Sequence, residues 1–449
     1  GGFEYPLVGL DYGYLNAEFG LYILGTSLDN WIINDQQLKR ALYNSQRFWA
    51  SGGAEGAAAY LSVQLNGMTY PIEWDILRGD VQNDPGLLSF PIRDTSAPEA
   101  RAVLSLVLRP WSRPQALTTI TSATLNNGGG VSATSESATI TAAAGDVTYP
   151  IRLTFQSLAG DDFWRVIYAK KSRGQVANFL FPLQAEEGTF TGYAVTQVTA
   201  DGDITLLPAA VAAASGGNVG RFNRIAGGVV ETNETLFLVT INDNINDWYG
   251  RYRVYLRVDS SVQSAGAGAL TLRLTSGGSA GTDIANDAVS LAGTLTTDYL
   301  LDMGVIAIPH RSQPNNVADP AFRFALQFTN GSTADAVAID FDCFYLVPID
   351  EDYGEFILSA AAAAQDQLVV DGLPPGARVY LKDSTGDIQP ERIDEQPNSY
   401  FTVVPGIDNR FFVLFAGTAL WTTTGAHDLT DQFTLRAEYH AYYLLFRTS

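Results

Sequence analysis

The chain has one cysteine, Cys343, in 449 residues. No intrachain disulfide can form, so a small disulfide-stapled secreted scaffold is excluded. Its three histidines, His310, His427 and His440, are scattered and make no His-Glu-x-x-His pair. That removes the helix-borne zinc protease motif. The runs Gly128-Gly129-Gly130 and Gly266-Ala267-Gly268 open no helical pattern, so they read as turns rather than cofactor loops. No run of about 18 apolar residues occurs, and no membrane-spanning helix is expected. The opening Gly1-Gly2-Phe3-Glu4-Tyr5 does not read as a signal peptide. A single thiol fits manufacture in a reducing cytoplasm. Charge is scarce too: 17% of residues are charged, against about a quarter in an average soluble protein.

The charge that is present is mostly negative, with 48 acidic against 27 basic residues and a net −21. Such a chain repels phosphate, which argues against nucleic acid and anionic membrane surfaces as partners. Uncharged sugars, cations and protein subunits remain open. Glycine is abundant at 42 residues, beside 21 Tyr, 23 Phe and 7 Trp. Polar turns between aromatic and β-branched runs indicate an all-β fold of several β-sandwich domains.

Residues 102–108 are nearly all apolar, as a strand buried on both faces requires. Residues 236–241, 252–258 and 270–274 are strand-like and bounded by Gly, Asn or Asp. Phe433, Leu435, Ala437 and Tyr439 alternate with polar residues, which predicts a strand with one buried face. The mixed stretch 35–49 predicts one short helix. Three units are expected: a scaffold domain over 1–175, a middle domain over 176–350, and a C-terminal β domain over 351–449. The acidic run Asp350-Glu351-Asp352 reads as a solvated linker between the last two.

Candidate sites are few. With 48 acidic residues, a glycosidase-type carboxylate pair stays open, although surface solubilisation is the simpler reading. The run from Asn242 to Asp247 has cation-loop composition but lacks the order of an EF-hand. Trp248 and Tyr249 follow it. In a loop they would offer aromatic planes to a sugar ring, and in the core they would start a strand. No catalytic constellation stands out, and the chain is expected not to be an enzyme.

The middle segment resembles carbohydrate-binding modules of families 6 and 35. The resemblance is carried by Leu183-Gln184-Ala185-Glu186-Glu187-Gly188, Ala214-Ser215-Gly216-Gly217-Asn218-Val219, Gly250-Arg251-Tyr252-Arg253-Val254 and Phe341-Asp342-Cys343-Phe344-Tyr345-Leu346. It implies a jelly roll, and a structural Ca2+ ion held by Glu186 and Asp342. Gln184 stands where that family has its first acid. The flanks resemble tailed-phage structural proteins of the distal-tail or baseplate kind, through Ala102 to Trp111 and Gly145 to Phe155. That implies a virion protein of a phage tail, assembling as a homo-oligomer with other virion structural proteins. The jelly roll would then display a site for a host-surface glycan. A bacterial surface or secreted glycan-binding protein, and a glycosidase with a binding module, are the alternatives.

Overall fold

The computed structural model describes residues 14–24, 28–53, 55–64, 71–83, 99–114, 118–121, 125–126, 135–141, 143–157, 165–171, 183–185, 188–190, 193–197, 204–210, 217–227, 230–241, 250–262, 268–276, 284–290, 294, 299–308, 322–330, 336–358, 363, 365–374, 378–389, 393–395, 400–416 and 432–443. The protein is all-β in character, with antiparallel sheets throughout and one helix among the described residues.

The first unit is a sheet with that helix on one face. Its strands run in the order Leu15–Leu24, Glu99–Leu108, Ile72–Asn83 and Tyr60–Val63. The helix spans Leu28–Ala50, longer than the expected stretch 35–49. Buried Asp35, Leu42 and Ser45 with half-buried Leu38 recur at helical spacing and form its sheet-facing stripe. The exposed Ile32 and Ile33 break the amphipathic pattern, so the first turns carry no clean period. Ser45 Oγ donates to Ile76 O at 2.6 Å and accepts from Ala59 N at 3.0 Å. At Gly79 a Cβ would lie 2.6 Å from Leu42 Cδ2 and 2.8 Å from Leu106 Cδ2. A side chain there would require the Leu42 and Leu106 side chains between helix and sheet to shift. The core here is Ile23, Leu42, Trp74, Ile76, Leu106 and Leu108.

The remaining described strands outside the middle segment, apart from Arg113–Pro114, which pairs with Ile72–Asn83, form one two-sheet sandwich. One sheet runs Ile393–Glu395, Tyr353–Leu358, Arg165–Lys171, Asn409–Ala416, Ser135–Ile140. The other runs Arg378–Lys382, Gln367–Asp371, Tyr149–Ser157, Gln432–Tyr439, Thr118–Thr121. Strands from before and after the middle segment therefore interleave. The expected division into 1–175 and a separate 351–449 does not hold, because Arg165–Lys171 is hydrogen-bonded between two strands of the later segment. Strand periodicity shows which face is buried and says nothing of which distant strand pairs. Tyr168 anchors the core, with its ring centroid 5.2 Å from Phe356 and 4.5 Å from Phe401.

The middle segment folds as a second two-sheet sandwich, inserted into the first. Its core includes Phe222, Phe237, Leu256, Phe324, Phe341 and Phe344. One sheet runs Ile204–Ala210, Asn218–Arg224, Val337–Pro348, Gly250–Val262, Tyr299–Ile308. Leu183–Gln184 joins the central Val337–Pro348 strand, so the first and last strands of the insert are paired. The other sheet runs Gly188–Phe190, Tyr193–Gln197, Glu231–Ile241, Phe322–Asn330, Ala269–Ser276, Ile284–Ala285.

The insert is docked rather than tethered. Ile167 and Ala169 of the first sandwich pack in one buried cluster with Tyr255, Leu300, Cys343, Tyr345 and Val347 of the insert. The acidic run expected to be a solvated linker is a clasp. Asp350 Oδ2 accepts from Arg251 N at 2.6 Å. Asp352 Oδ2 accepts from Thr402 N at 2.6 Å and lies 3.2 Å from the buried Lys170 Nζ. Lys170 N donates to Asp352 O at 2.8 Å, so the chain leaves and returns at neighbouring points.

Candidate ligand-binding face

The docking decides which surface of the jelly roll is available. The Val337–Pro348 sheet turns residues of its outer side, Tyr255, Cys343, Tyr345 and Val347, against the first sandwich. The opposite sheet is the one left to present a face.

Alternation fixes what that face carries. In Phe322–Asn330, Phe324, Leu326 and Phe328 enter the core, so Arg323, Ala325, Gln327 and Thr329 lie on the sheet's other side, with Arg323 and Thr329 half-buried and Ala325 and Gln327 buried. In Ala269–Ser276, Leu270 and Leu272 enter the core, leaving the buried Thr271 and the half-buried Arg273 on the other side. Register aligns these into rows across the sheet: Thr271, Gln327 and Thr235; Arg273, Ala325, Leu238 and Thr196; Thr275, Arg323, Thr240 and Ala194. Gln327 Nε2 donates to Thr235 Oγ1 at 3.2 Å. At the sheet's end, Asn233 has φ 55° beside a register shift, and Asn233 N donates to Thr329 Oγ1 at 3.0 Å. The named rows carry hydroxyls, one amide and two guanidiniums, with no carboxylate. In a chain of net −21 this is a donor-rich strip. Hydroxyls and amides donate and accept, as recognition of a polyhydroxylated ligand requires.

The residues singled out by sequence fall differently. Trp248, Tyr249, Glu186 and the Asn242 to Asp247 run lie outside the described residues. Asp342 is fully buried, and its Oδ2 stands 2.9 Å from Nη1 of the equally buried Arg257. Its counter-charge among the described residues is this guanidinium, as in a buried ion pair. Among the described residues no three His, Cys, Asp or Glu side chains are grouped to hold a metal. First and last strands are instead joined by backbone, with Ala185 N donating to Asp342 O at 2.9 Å. Asp342 falls at a register shift: Arg257 pairs with Cys343 while Val258 pairs with Phe341. Burial pushes the Cys343 thiol well above its ordinary pKa.

One further cluster had no sequence signal. Asp75 lies between Arg109 and Arg113, 3.4 Å from each Nε. Arg109 lies over Trp49 at 4.7 Å and over Trp111 at 5.6 Å. Arg113 Nη1 reaches His440 Nε2 at 2.6 Å, and His440 Nδ1 lies 3.1 Å from Pro114 O. A guanidinium only donates, so the imidazole accepts at Nε2 and carries its proton at Nδ1. These contacts lock the helix-bearing unit to the sandwich. Burial raises the Asp75 carboxyl above the usual range, against the opposing pull of Arg113 and Arg109.

Fold and site define an all-β protein with a docked jelly-roll insert that presents a polar sheet face. No family model and no curated protein matches the chain. Among solved structures it is similar to TmCBM61, seen in complex with β-1,4-galactotriose, at 16% identity and TM-score 0.22, covering 40% of this chain and 100% of that one. It is similar to the CBM22-1 xylan-binding domain of Paenibacillus barcinonensis Xyn10C at 15% identity and TM-score 0.21, covering 43% and 98%. It also matches the chain of T=1 particles derived from infectious bursal virus at 11% identity and TM-score 0.19, covering 72% and 77%. At such scores the likeness carries no functional weight.

Proposed function

We propose that the chain is a non-catalytic binding and assembly protein whose jelly roll takes a glycan on the sheet turned away from the scaffold. The observation that supports this reading is the asymmetry of the insert. One sheet is spent on docking to the scaffold, and the other carries rows of Thr, Gln and Arg without a carboxylate. Hydrogen-bonding groups preset on a rigid sheet lose little entropy on binding. Titration calorimetry of the full chain with soluble xylan, β-1,4-galactan and a polyuronate tests it. Binding of at least one polymer is expected, with affinity falling tenfold or more in Arg273→Ala and Arg323→Ala. Absence of binding to all three, or binding untouched by both substitutions, would overturn it.

A place in a phage tail tip or baseplate, beside other virion proteins, is part of this proposal and rests on the resemblance of the flanking segments. Its motif residues lie on the Glu99–Leu108 strand and its exit, and on Tyr149–Ser157 with the turn before it. Two separate units thus carry it. Finding the chain in purified particles would support this placement. Finding it free or on a bacterial surface, with glycan binding intact, would favour the alternative of a cell-surface or secreted glycan binder.

A further inference from the structure

The outer strand of the first unit, Leu15–Leu24, is an edge that the described residues leave uncovered. It pairs on one side only, with Glu99–Leu108, through ten consecutive residue pairs without a register shift. Proteins blunt such edges with Pro, Lys, bulges or brevity. The sequence Leu-Asn-Ala-Glu-Phe-Gly-Leu-Tyr-Ile-Leu contains no Pro and no Lys, and its single charge is Glu18. The opposite edge of the same sheet is the four-residue strand Tyr60–Val63. Large apolar side chains stand exposed along the uncovered strand: Tyr14 at 66%, Leu15 at 45% and Phe19 at 39%.

We infer that this strand pairs with the same strand of a second copy, antiparallel across a twofold axis at Ala17. The register follows from the side chains. With the axis at Ala17, Leu15 faces Phe19 of the second copy, and Asn16 faces its Glu18. Apolar meets apolar on one face, and an amide meets a carboxylate on the other, both ways round as a twofold requires. An axis at Glu18 would set two carboxylates opposite each other. An axis at Phe19 would give Glu18 only Gly20 and leave Leu15 opposite Ile23, whose side chain is already in the core. Of these three, the Ala17 axis alone pairs Leu15 with Phe19 and Asn16 with Glu18, and it leaves Tyr14 opposite Gly20, where there is room for the ring. The inference is independent of glycan binding and stands if the jelly-roll face binds nothing.

The test uses the full chain and its chemistry of thiols. The native Cys343 is fully buried, so an introduced cysteine is the one that reacts. Residues opposed across an antiparallel pair have Cα atoms about 4.5–5.5 Å apart, within disulfide reach. Ala17→Cys is expected to give a covalent dimer on mild oxidation, while Asn16→Cys and Glu18→Cys, each set off the axis, are expected to give little. Light scattering of the unmodified protein at tens of micromolar should approach twice the 48.4 kDa of one chain. The double variant Leu15→Lys, Phe19→Lys changes exposed positions only and should return the mass to that of one chain with an unchanged melting curve. A monomeric unmodified protein would overturn the inference, as would a dimer that the double variant leaves intact. So would strong cross-linking at position 16 or 18 in place of 17. An edge occupied by residues 1–13 of its own chain would show as a monomer whose Ala17→Cys thiol stays unreactive, and that too would overturn it.

Discussion

Two buried aspartates with arginine partners sit in different balances. Asp342 and Arg257 are both essentially without solvent, 0% and 1% exposed, and hold each other at 2.9 Å. Removing one partner strands the other charge in the core, which typically costs about 3–5 kcal/mol. Asp342→Ala is therefore expected to destabilise the jelly roll by that order in denaturant unfolding, whereas the pair Asp342→Leu with Arg257→Met should recover most of the loss. A single variant within about 1 kcal/mol of the native protein would mean that the pair is dispensable. Asp75 is the contrary case. Its carboxyl is raised by burial more than Arg113 and Arg109 lower it. A group raised on folding contributes its full stability below the ordinary aspartate value of about 3.9 and loses it as pH climbs through the raised value. Asp75→Asn does not titrate. Its melting temperature relative to the native protein should therefore rise between pH 4 and pH 7, and a fall over that range would show that the arginine contacts dominate.

Elements were legible where the signal is local. Of the alternating residues, Leu435, Ala437 and Tyr439 lie in the core on the inner face of the Gln432–Tyr439 strand. The apolar run over 102–108 is a strand whose Ala102, Leu106 and Leu108 reach the helix-covered core. The expected two-sided burial does not hold: on the other face Val103 is 41% exposed and Ser105 and Val107 are half-buried. Partnership was not legible. Nothing in residues 165–171 shows that their neighbours are residues 353–358 and 409–416, because pairing across some two hundred residues leaves no periodic trace. The run Asp350-Glu351-Asp352 misled for a related reason: three acids look solvated until a buried Lys170 arrives from a distant strand. The candidate face was likewise invisible. Thr271, Gln327 and Thr235 become one row only through register. The interleaving has a consequence at this scale. Since Ala169 pairs with Tyr353, replacing residues 172–351 by a short Gly-Ser turn closes a hairpin inside an existing sheet. The shortened chain is expected to keep a cooperative β-type melt at a somewhat lower temperature, having lost the cover over Ile167 and Ala169. The isolated segment 176–350 should fold yet self-associate through Tyr255, Leu300, Tyr345 and Val347. An unfolded shortened chain would show that the insert organises its host.

At the scale of the whole molecule, charge sets the two proposed activities against each other. Each copy carries −21, so two copies repel over a range fixed by ionic strength, about 30 Å at 0.01 M salt and about 8 Å at 0.15 M. The edge pairing itself is apolar and backbone-driven, with one carboxylate per strand facing an amide. Salt removes the repulsion and leaves the attraction. Self-association should therefore tighten several-fold between 0.01 and about 0.3 M salt, a range over which screening becomes short. A glycan on the Thr, Gln and Arg rows responds otherwise. A neutral sugar bound through hydroxyls such as those of Thr196 and Thr240 should show no salt dependence, and a uronate drawn to Arg273 and Arg323 should bind more weakly as salt rises. Light scattering and calorimetry on one sample across that salt series separate these outcomes. Dimerisation that weakens with salt would point to contacts made by charge, which the Leu15–Leu24 edge does not supply, and would move the interface to another surface of the molecule.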